Sequence, residues 1–248
     1  MSKKLWLSLA VVVFLCSLVV KFPARVALAL APMPATVKVQ QVEGTIWRGT
    51  AETVQLNGQF FHGISWQISP LALFTGRLAV DVQLANRNGN PLAGNASLAL
   101  SFGGMRVENG RFSGDLGRVG RWLEVPDLIP LRGDLVIGID EYQWGQPVCE
   151  TLQARAAAFE VSTRIGSQWH ALGDYTLNLG CNEQGQAQVS MPTDNMLGLS
   201  VAGSFAPGNV NLQVEMLPTR QAPSAIHDLL RLVGQPNSQG RYSFRFQL

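Results

Sequence analysis

The sequence predicts an all-β protein behind an N-terminal membrane helix: a long, curved, mostly antiparallel sheet of hairpin repeats, groove-like or a half-barrel, with one or two short capping helices. Three observations carry this. Apolar residues alternate with polar ones over most of the chain after residue 35, turn signals separate the alternating runs, and a sixteen-residue uncharged run stands near the start.

The start reads MSKKLWLSLAVVVFLCSLVVKFPARVALAL, in which Lys3 and Lys4 precede the apolar run Leu5 to Val20 and Lys21 closes it. Sixteen helical residues cover roughly 24 Å, a little less than a bilayer's hydrocarbon layer, so flanking lysines would snorkel or Phe22 would join the span. The expectation is a cytoplasmic tail over 1–4, an inner-membrane anchor over 5–22, a linker over 23–35 and a periplasmic β-rich domain over 36–248. A removable signal is the rival, since Ala27-Leu28-Ala29 and Ala29-Leu30-Ala31 both match the small-x-small cleavage pattern. Lys21 and Arg25 between the apolar run and those sites, with Pro32 after Ala31, favour retention. Cys16 lies inside the run and reads as a small apolar residue.

Pro32-Met33-Pro34 ends any helix, and period-two alternation follows. It is visible at Val37 to Gln40, Val54 to Asn57, Leu78 to Leu84, Ala96 to Phe102, Leu135 to Tyr142, Ala154 to Val161, Tyr175 to Leu179, Leu199 to Phe205, Val210 to Met216 and Arg241 to Leu248. Asn57-Gly58, Asn88-Gly89, Gly103-Gly104, Asn109-Gly110, Gln184-Gly185 and Pro207-Gly208 supply turns between them. Helical spacing occurs at Leu116 to Val125, with Val119, Trp122 and Leu123 on one side. It occurs again at Ser224 to Val233, with Ile226, Leu229, Leu230 and Val233 on one side and Ser224 as N-cap. A faint repeat relates Gly44 to Gly49, Trp66 to Leu71 and Gly76 to Val80 with Gly110 to Gly114, Trp122 to Pro126 and Gly133 to Ile137.

Formal net charge is +2 overall, but residues 26–248 carry fifteen Lys and Arg against seventeen Asp and Glu, a balance of −2. A body without basic excess has no electrostatic footprint for nucleic acid. His62, His170 and His227 are scattered, the cysteines show no C-x-x-C, and there is neither a nucleophile elbow nor a phosphate loop. No metal, cofactor or catalytic residue is expected. Asp140 and Glu141 adjoin on a strand and so point to opposite faces, which removes a shared acid/base role. His227 reads as a surface residue. Of the five later tryptophans, at 47, 66, 122, 144 and 169, most are expected in the core, with a partner-facing or groove-lining role as the sharper alternative. Cys149 and Cys181 are an even pair in a compartment that permits disulfides, and are expected to be bonded.

Val42-Glu43-Gly44-Thr45-Ile46-Trp47-Arg48-Gly49-Thr50-Ala51, followed by Ile64-Ser65-Trp66-Gln67-Ile68-Ser69-Pro70-Leu71-Ala72-Leu73-Phe74-Thr75-Gly76, resembles the N component of the type II secretion system, also called general secretion pathway protein N. Leu229 to Gly234 and Gly240-Arg241-Tyr242 resemble that family's ending. The motif residues are Gly44, Trp47, Gly49, Trp66, Pro70, Leu71 and Gly76. The resemblance implies a non-enzymatic component of the machine that exports folded proteins through the outer membrane, whose partners are other inner-membrane or periplasmic secretion components. It carries over no active-site residue. A free sheet edge recruits partners by strand addition, which makes the last strand, with Arg241, Tyr242, Phe244 and Phe246, a candidate interaction edge. A second function class is an envelope protein that binds or transfers lipid or another amphiphile along an apolar β-groove.

Overall fold

Among the described residues the alternation seen in the sequence resolves into thirteen strands. The computed structural model describes residues 6, 10, 13–14, 17–30, 34, 36–56, 58–122 and 130–247, except the side chains of Leu232 and Val233. Chain contacts divide the protein into two units, Met1–Asn90 and Pro91–Leu248.

The first unit holds helix α1 (Ala24–Leu30), strands β1 (Val37–Gly44), β2 (Arg48–Leu56) and β3 (Gln59–Ser69), the single turn α2 (Pro70–Leu73), and β4 (Leu78–Leu84). Each strand pairs antiparallel with the next, β1 with β2, β2 with β3, and β3 with β4. This up-and-down order puts the β1–β2 turn and the β3–β4 connection at one end of the unit, and the β2–β3 turn at the other. The latter end is pinned by Asn90, a buried amide with every hydrogen-bonding need met: its Oδ1 accepts the His62 amide at 2.7 Å, and its Nδ2 donates to the carbonyls of His62 and Ala85 at 2.8 Å each. His62 also shares a 3.2 Å hydrogen bond between its Nδ1 and Thr53 Oγ1, which makes it part of the framework.

The second unit runs β5 (Leu92–Ser101), β6 (Gly104–Asp115), α3 (Leu116–Trp122), β7 (Leu131–Trp144), β8 (Cys149–Ile165), β9 (Gln168–Cys181), β10 (Ala187–Met191), β11 (Ser200–Ala206), β12 (Asn209–Met216), α4 (Ser224–Val233) and β13 (Tyr242–Gln247). Within this unit spatial order follows chain order, each strand after β5 antiparallel to its predecessor. Side chains directly opposite across a ladder share a face, so the register reads out two surfaces. Gly110, Ile139, Ala154, Leu179, Val189, Gly203, Leu212 and Phe246 form one continuous row across β6 to β13. On the other face the neighbouring row is Arg111, Gly138, Arg155, Asn178, Ser190, Ala202, Gln213 and Arg245. One face is apolar; the other is polar.

The buried cluster sits at one end of the apolar face, where Val161 and Leu172 meet Leu197, Ala222, Ile226 and Leu230, with Tyr175, Met216 and Tyr242 packed around them. Helix α4 is the plug, and Ile226 and Leu230 lie on the side the spacing assigns to the core. Burial pushes the Tyr175 hydroxyl up to about 12, and it donates to the Leu172 carbonyl at 3.0 Å. Away from this plug most of the row is only half-buried, and Phe246 is 54% exposed. At the opposite ends of β8 and β9 a disulfide joins Cys149 and Cys181, with Cα atoms 6.1 Å apart.

Several expectations need correction. The N-cap of α4 is Pro223, without a side-chain cap bond, and Ser224 is the first helical residue; the proline forgoes a side-chain acceptor, and its fixed φ sets the entry angle of the chain. The internal repeat has no structural counterpart: Gly110 to Gly114 lie inside β6, whereas Gly44 and Gly49 flank a turn, and Trp122 ends a helix whereas Trp66 lies in a strand. Helix α1, Ala24–Leu30, lies within the stretch 23–35. None of the five tryptophans is fully buried; Trp144 is exposed, and Trp169 lies under the Arg132 guanidinium, 3.8 Å from its ring centroid. Residues 123–125 of the helix expected from Leu116, Asn57 of the first turn and Leu248 of the last strand lie outside the described residues. The expected span over 5–22 lies largely outside them as well; its described residues 6, 10, 13–14 and 17–20 are helical. Among the described residues no helix is long and apolar enough to cross a membrane.

Candidate functional site

The residues Gly44 to Gly49 make the turn between β1 and β2, and this turn grips the chain just after the apolar run. A helix leaves its last carbonyls without partners inside the helix. Here the Lys21 amide donates to the Ser17 carbonyl at 3.0 Å, after which Pro23 interrupts the ladder and α1 begins. The Phe22 amide reaches the Val19 carbonyl at 3.3 Å, and the turn adds a second donor there and a partner for the Phe22 carbonyl. Trp47 Nε1 donates to the Val19 carbonyl at 2.9 Å, the Ile46 amide donates to the Phe22 carbonyl at 3.1 Å, and Pro23 bridges to Thr45.

The turn is itself fastened from below. Trp66 Nε1, on β3, donates to the Ile46 carbonyl at 3.1 Å, and the Ile68 amide donates to the Trp47 carbonyl at 2.7 Å. Thr45 and Arg48 close the turn through the Thr45 amide on the Arg48 carbonyl, 2.9 Å, and the Arg48 amide on Thr45 Oγ1, 3.2 Å. Arg48 Nη2 then reaches Gln67 Oε1 at 3.0 Å. The two glycines are needed for different reasons. Gly44 is in the left-handed region at φ +87°, and a Cβ there would stand 2.5 Å from the Arg48 carbonyl oxygen. Gly49 is buried under the Trp66 ring, where a Cβ would lie 2.4 Å from ring carbon Cζ2. Gly44, Trp47, Gly49 and Trp66 are thus one interlocked clasp.

The other motif residues form the β3–β4 connection at the same end of the unit. Pro70 opens α2 at its first position, Leu71 is 76% exposed, and Gly76 ends the turn with its amide on the Leu73 carbonyl at 3.0 Å. They do not touch the clasp through any hydrogen bond described here; the strands β2 and β3 place them beside it.

The candidate edge at the last strand is a separate place. β13 pairs with β12 alone among the described strands. Its start is already engaged, since Tyr242 packs into the plug cluster and Arg241, just before the strand, pairs with Glu215. Hydrogen bonds from Arg241 and Gln213 hold the Glu215 carboxyl below the usual carboxylate range. Phe244 is half-buried, so Phe246 carries the exposed apolar part of the edge. Asp140 and Glu141 face different arginines, Asp140 at 2.7 Å from Arg111 and Glu141 at 3.7 Å from Arg106. Among the described residues no group of three or more His, Cys, Asp or Glu is arranged to hold a metal.

The carbonyls of Val19 and Phe22, which the clasp holds, were invisible to sequence reasoning, because a backbone acceptor leaves no residue-type signature.

The comparisons with known proteins agree along nearly the whole chain. Residues 35–245 match the family model described as type II secretion system protein N. The type II secretion system protein N of Vibrio cholerae serotype O1 is 26% identical over 243 residues, 95% of this chain and 94% of its own length. That of Aeromonas hydrophila is 25% identical over 251 residues, covering 99% and 98%. That of Pectobacterium carotovorum subsp. carotovorum is 24% identical over 232 residues, covering 91% and 88%. No solved structure matches the chain. With the family model spanning both units and their strands, the chain belongs to the type II secretion system protein N family.

Proposed function

We propose that the protein is an inner-membrane-tethered, periplasmic component of the type II secretion apparatus with an assembly or interaction role rather than a catalytic one. In this reading residues 1–4 are cytoplasmic, 5–22 span the membrane, and 36–248 stand in the periplasm. The clasp carries the reading: an indole bond, an amide bond and the β-bridge at Pro23 fix the exit of an apolar helix to the first hairpin of the β-body, which is what a tether requires and a cleaved signal does not. Partners are other secretion components of the inner membrane and periplasm, met by strand addition along β13 near Phe246. A photo-crosslinking residue in place of Phe246, in the assembled apparatus, is expected to capture a secretion component. Capture of none, with crosslinks equally absent at Arg245, overturns the edge assignment. N-terminal sequencing that found the mature chain starting near Leu30 or Pro32 would remove the tether.

The half-exposed apolar row across β6 to β13 favours a second reading, binding of a lipid or other amphiphile along that face. Purification from membranes with stoichiometric lipid, lost on Leu212→Asp, is its expected mark; a lipid-free protein sinks it.

A further inference from the structure

The end of the first unit that carries the clasp also carries the most exposed apolar side chains of that unit's β-body. Phe74 is 88% exposed and Leu71 76%, and Leu73 is 44% exposed between them. They are presented by a firm turn. The amides of Phe74, Thr75, Gly76 and Arg77 donate to the carbonyls of Leu71, Ala72, Leu73 and Ala72 at 3.0 to 3.2 Å, and Thr75 Oγ1 donates to the Ala72 carbonyl at 2.8 Å. A turn so fully bonded holds its side chains out in one direction; it is not a loose loop that happens to be wet. Apolar groups exposed to this degree on an ordered element mark a contact.

The surroundings say which contact. β1 ends at Gly44 and β3 at Ser69, so the clasp and this turn leave the sheet at the same end, and the clasp holds the carbonyls of Val19 and Phe22 there. Over residues 17–25, 43–48 and 67–81, which make up this end, Lys21, Arg25, Arg48 and Arg77 stand against Glu43 and Asp81, four basic residues to two acidic. Trp47 lies among them. Exposed apolar tips, an indole and a basic excess beside the exit of an apolar helix are the composition of a segment that rests in the headgroup layer of an anionic bilayer.

We propose that Leu71 and Phe74 are an apolar foot that dips into the interface of the membrane to which the chain is tethered, so that the first unit stands on the bilayer at two points, the helix exit and this turn. The proposal rests on the tether reading, and its test separates the two.

The full chain with Cys16→Ala and Phe74→Cys, the remaining cysteines being bonded to each other, is labelled with nitrobenzoxadiazole and reconstituted into vesicles of phosphatidylethanolamine and phosphatidylglycerol. Phe60→Cys in the same background is the control. Phe60 is also exposed, 51%, but lies near the opposite end of β3, roughly 30 Å away along a strand of eleven residues. Doxyl-labelled lipid is expected to quench the Phe74 label about threefold more strongly than the Phe60 label, with a blue-shifted emission at Phe74 alone. Equal quenching at the two positions, or none at Phe74, overturns the foot. Shielding of an unquenched Phe74 label from aqueous iodide only in membranes that hold the assembled apparatus also overturns it, and assigns the turn to a protein partner. Carbonate extraction of the same vesicles reads the tether: a retained chain with an unquenched label at 74 defeats the foot alone, and a quenched label on an extractable chain defeats the tether while the foot stands.

Discussion

The unit Met1–Asn90 is fixed at its clasp end by donors and acceptors at named atoms, Trp47 on Val19 and Trp66 on Ile46, whereas Pro91–Leu248 is fixed by apolar area, a plugging helix and a disulfide. Both are meanders of antiparallel hairpins. The difference teaches that the sheet is a common frame, and that what each unit does depends on how its ends are finished. A bonded clasp demands particular residues at particular places; an apolar face tolerates exchange among hydrophobic residues of similar volume.

The sharpest way to break that comparison is to hollow the plug. Leu230→Ala or Ile226→Ala is expected to cost about 2–5 kcal/mol of stability, read as a lower urea midpoint and as faster amide exchange in β8, β9 and α4. Equal loosening of β1 to β4 would show that the units do not have separate means of support. Reducing Cys149–Cys181, or replacing both by Ala, opens a loop set by a sequence separation of 32 and is expected to cost about 3 kcal/mol in the chain-entropy picture, again confined to the second unit. In the first unit Gly49→Ala forces the Trp66 ring off its seat and is expected to cost about 1–3 kcal/mol, seen as exchange at Ile46 and Trp47 with the plug unaffected. Trp66→Phe keeps an aromatic ring but removes both the N–H bond to the Ile46 carbonyl and the part of the indole over Gly49, for about 1–3 kcal/mol. The smallest effect is a pH dependence at β13. The Glu215 carboxyl titrates lower in the folded protein than in the unfolded chain, so its stabilising contribution is complete above the ordinary carboxylate range and is lost as pH falls through the depressed value. Exchange of β12 and β13 amides is expected to quicken on acidification in that window, and Glu215→Gln is expected to flatten the response.

How legible these features are in the sequence follows from how local their causes are. β4 appears with its observed ends because Leu78 to Leu84 alternates without a break and stands between Gly76 and Asn86. β3 escapes the same reading, since Phe60-Phe61 and Gly63 interrupt the period, and β6 escapes it because Asn109 takes φ +53° in mid-strand next to Gly110. β10 is only five residues long. The motif glycines and tryptophans are visible as a family pattern, but their work is not, because Trp47 and Val19 are 28 residues apart and joined through a main-chain oxygen. Leu71 and Phe74 read as ordinary core residues by type; only the direction of the turn after Pro70 puts them outside.

The strictly sequential strand order has a consequence for biogenesis. Because every strand pairs with its immediate predecessor within its unit, each hairpin can close soon after it is made, with little loop entropy to overcome. The strands can therefore be laid down in the order of synthesis, the clasp at the β1–β2 turn closing before the second unit is made. The plug is timed differently. Helix α4 begins at residue 224, after twelve of the thirteen described strands have appeared, so the end of the apolar face it covers stays bare until synthesis is nearly complete. In that interval the growing chain is most exposed to aggregation.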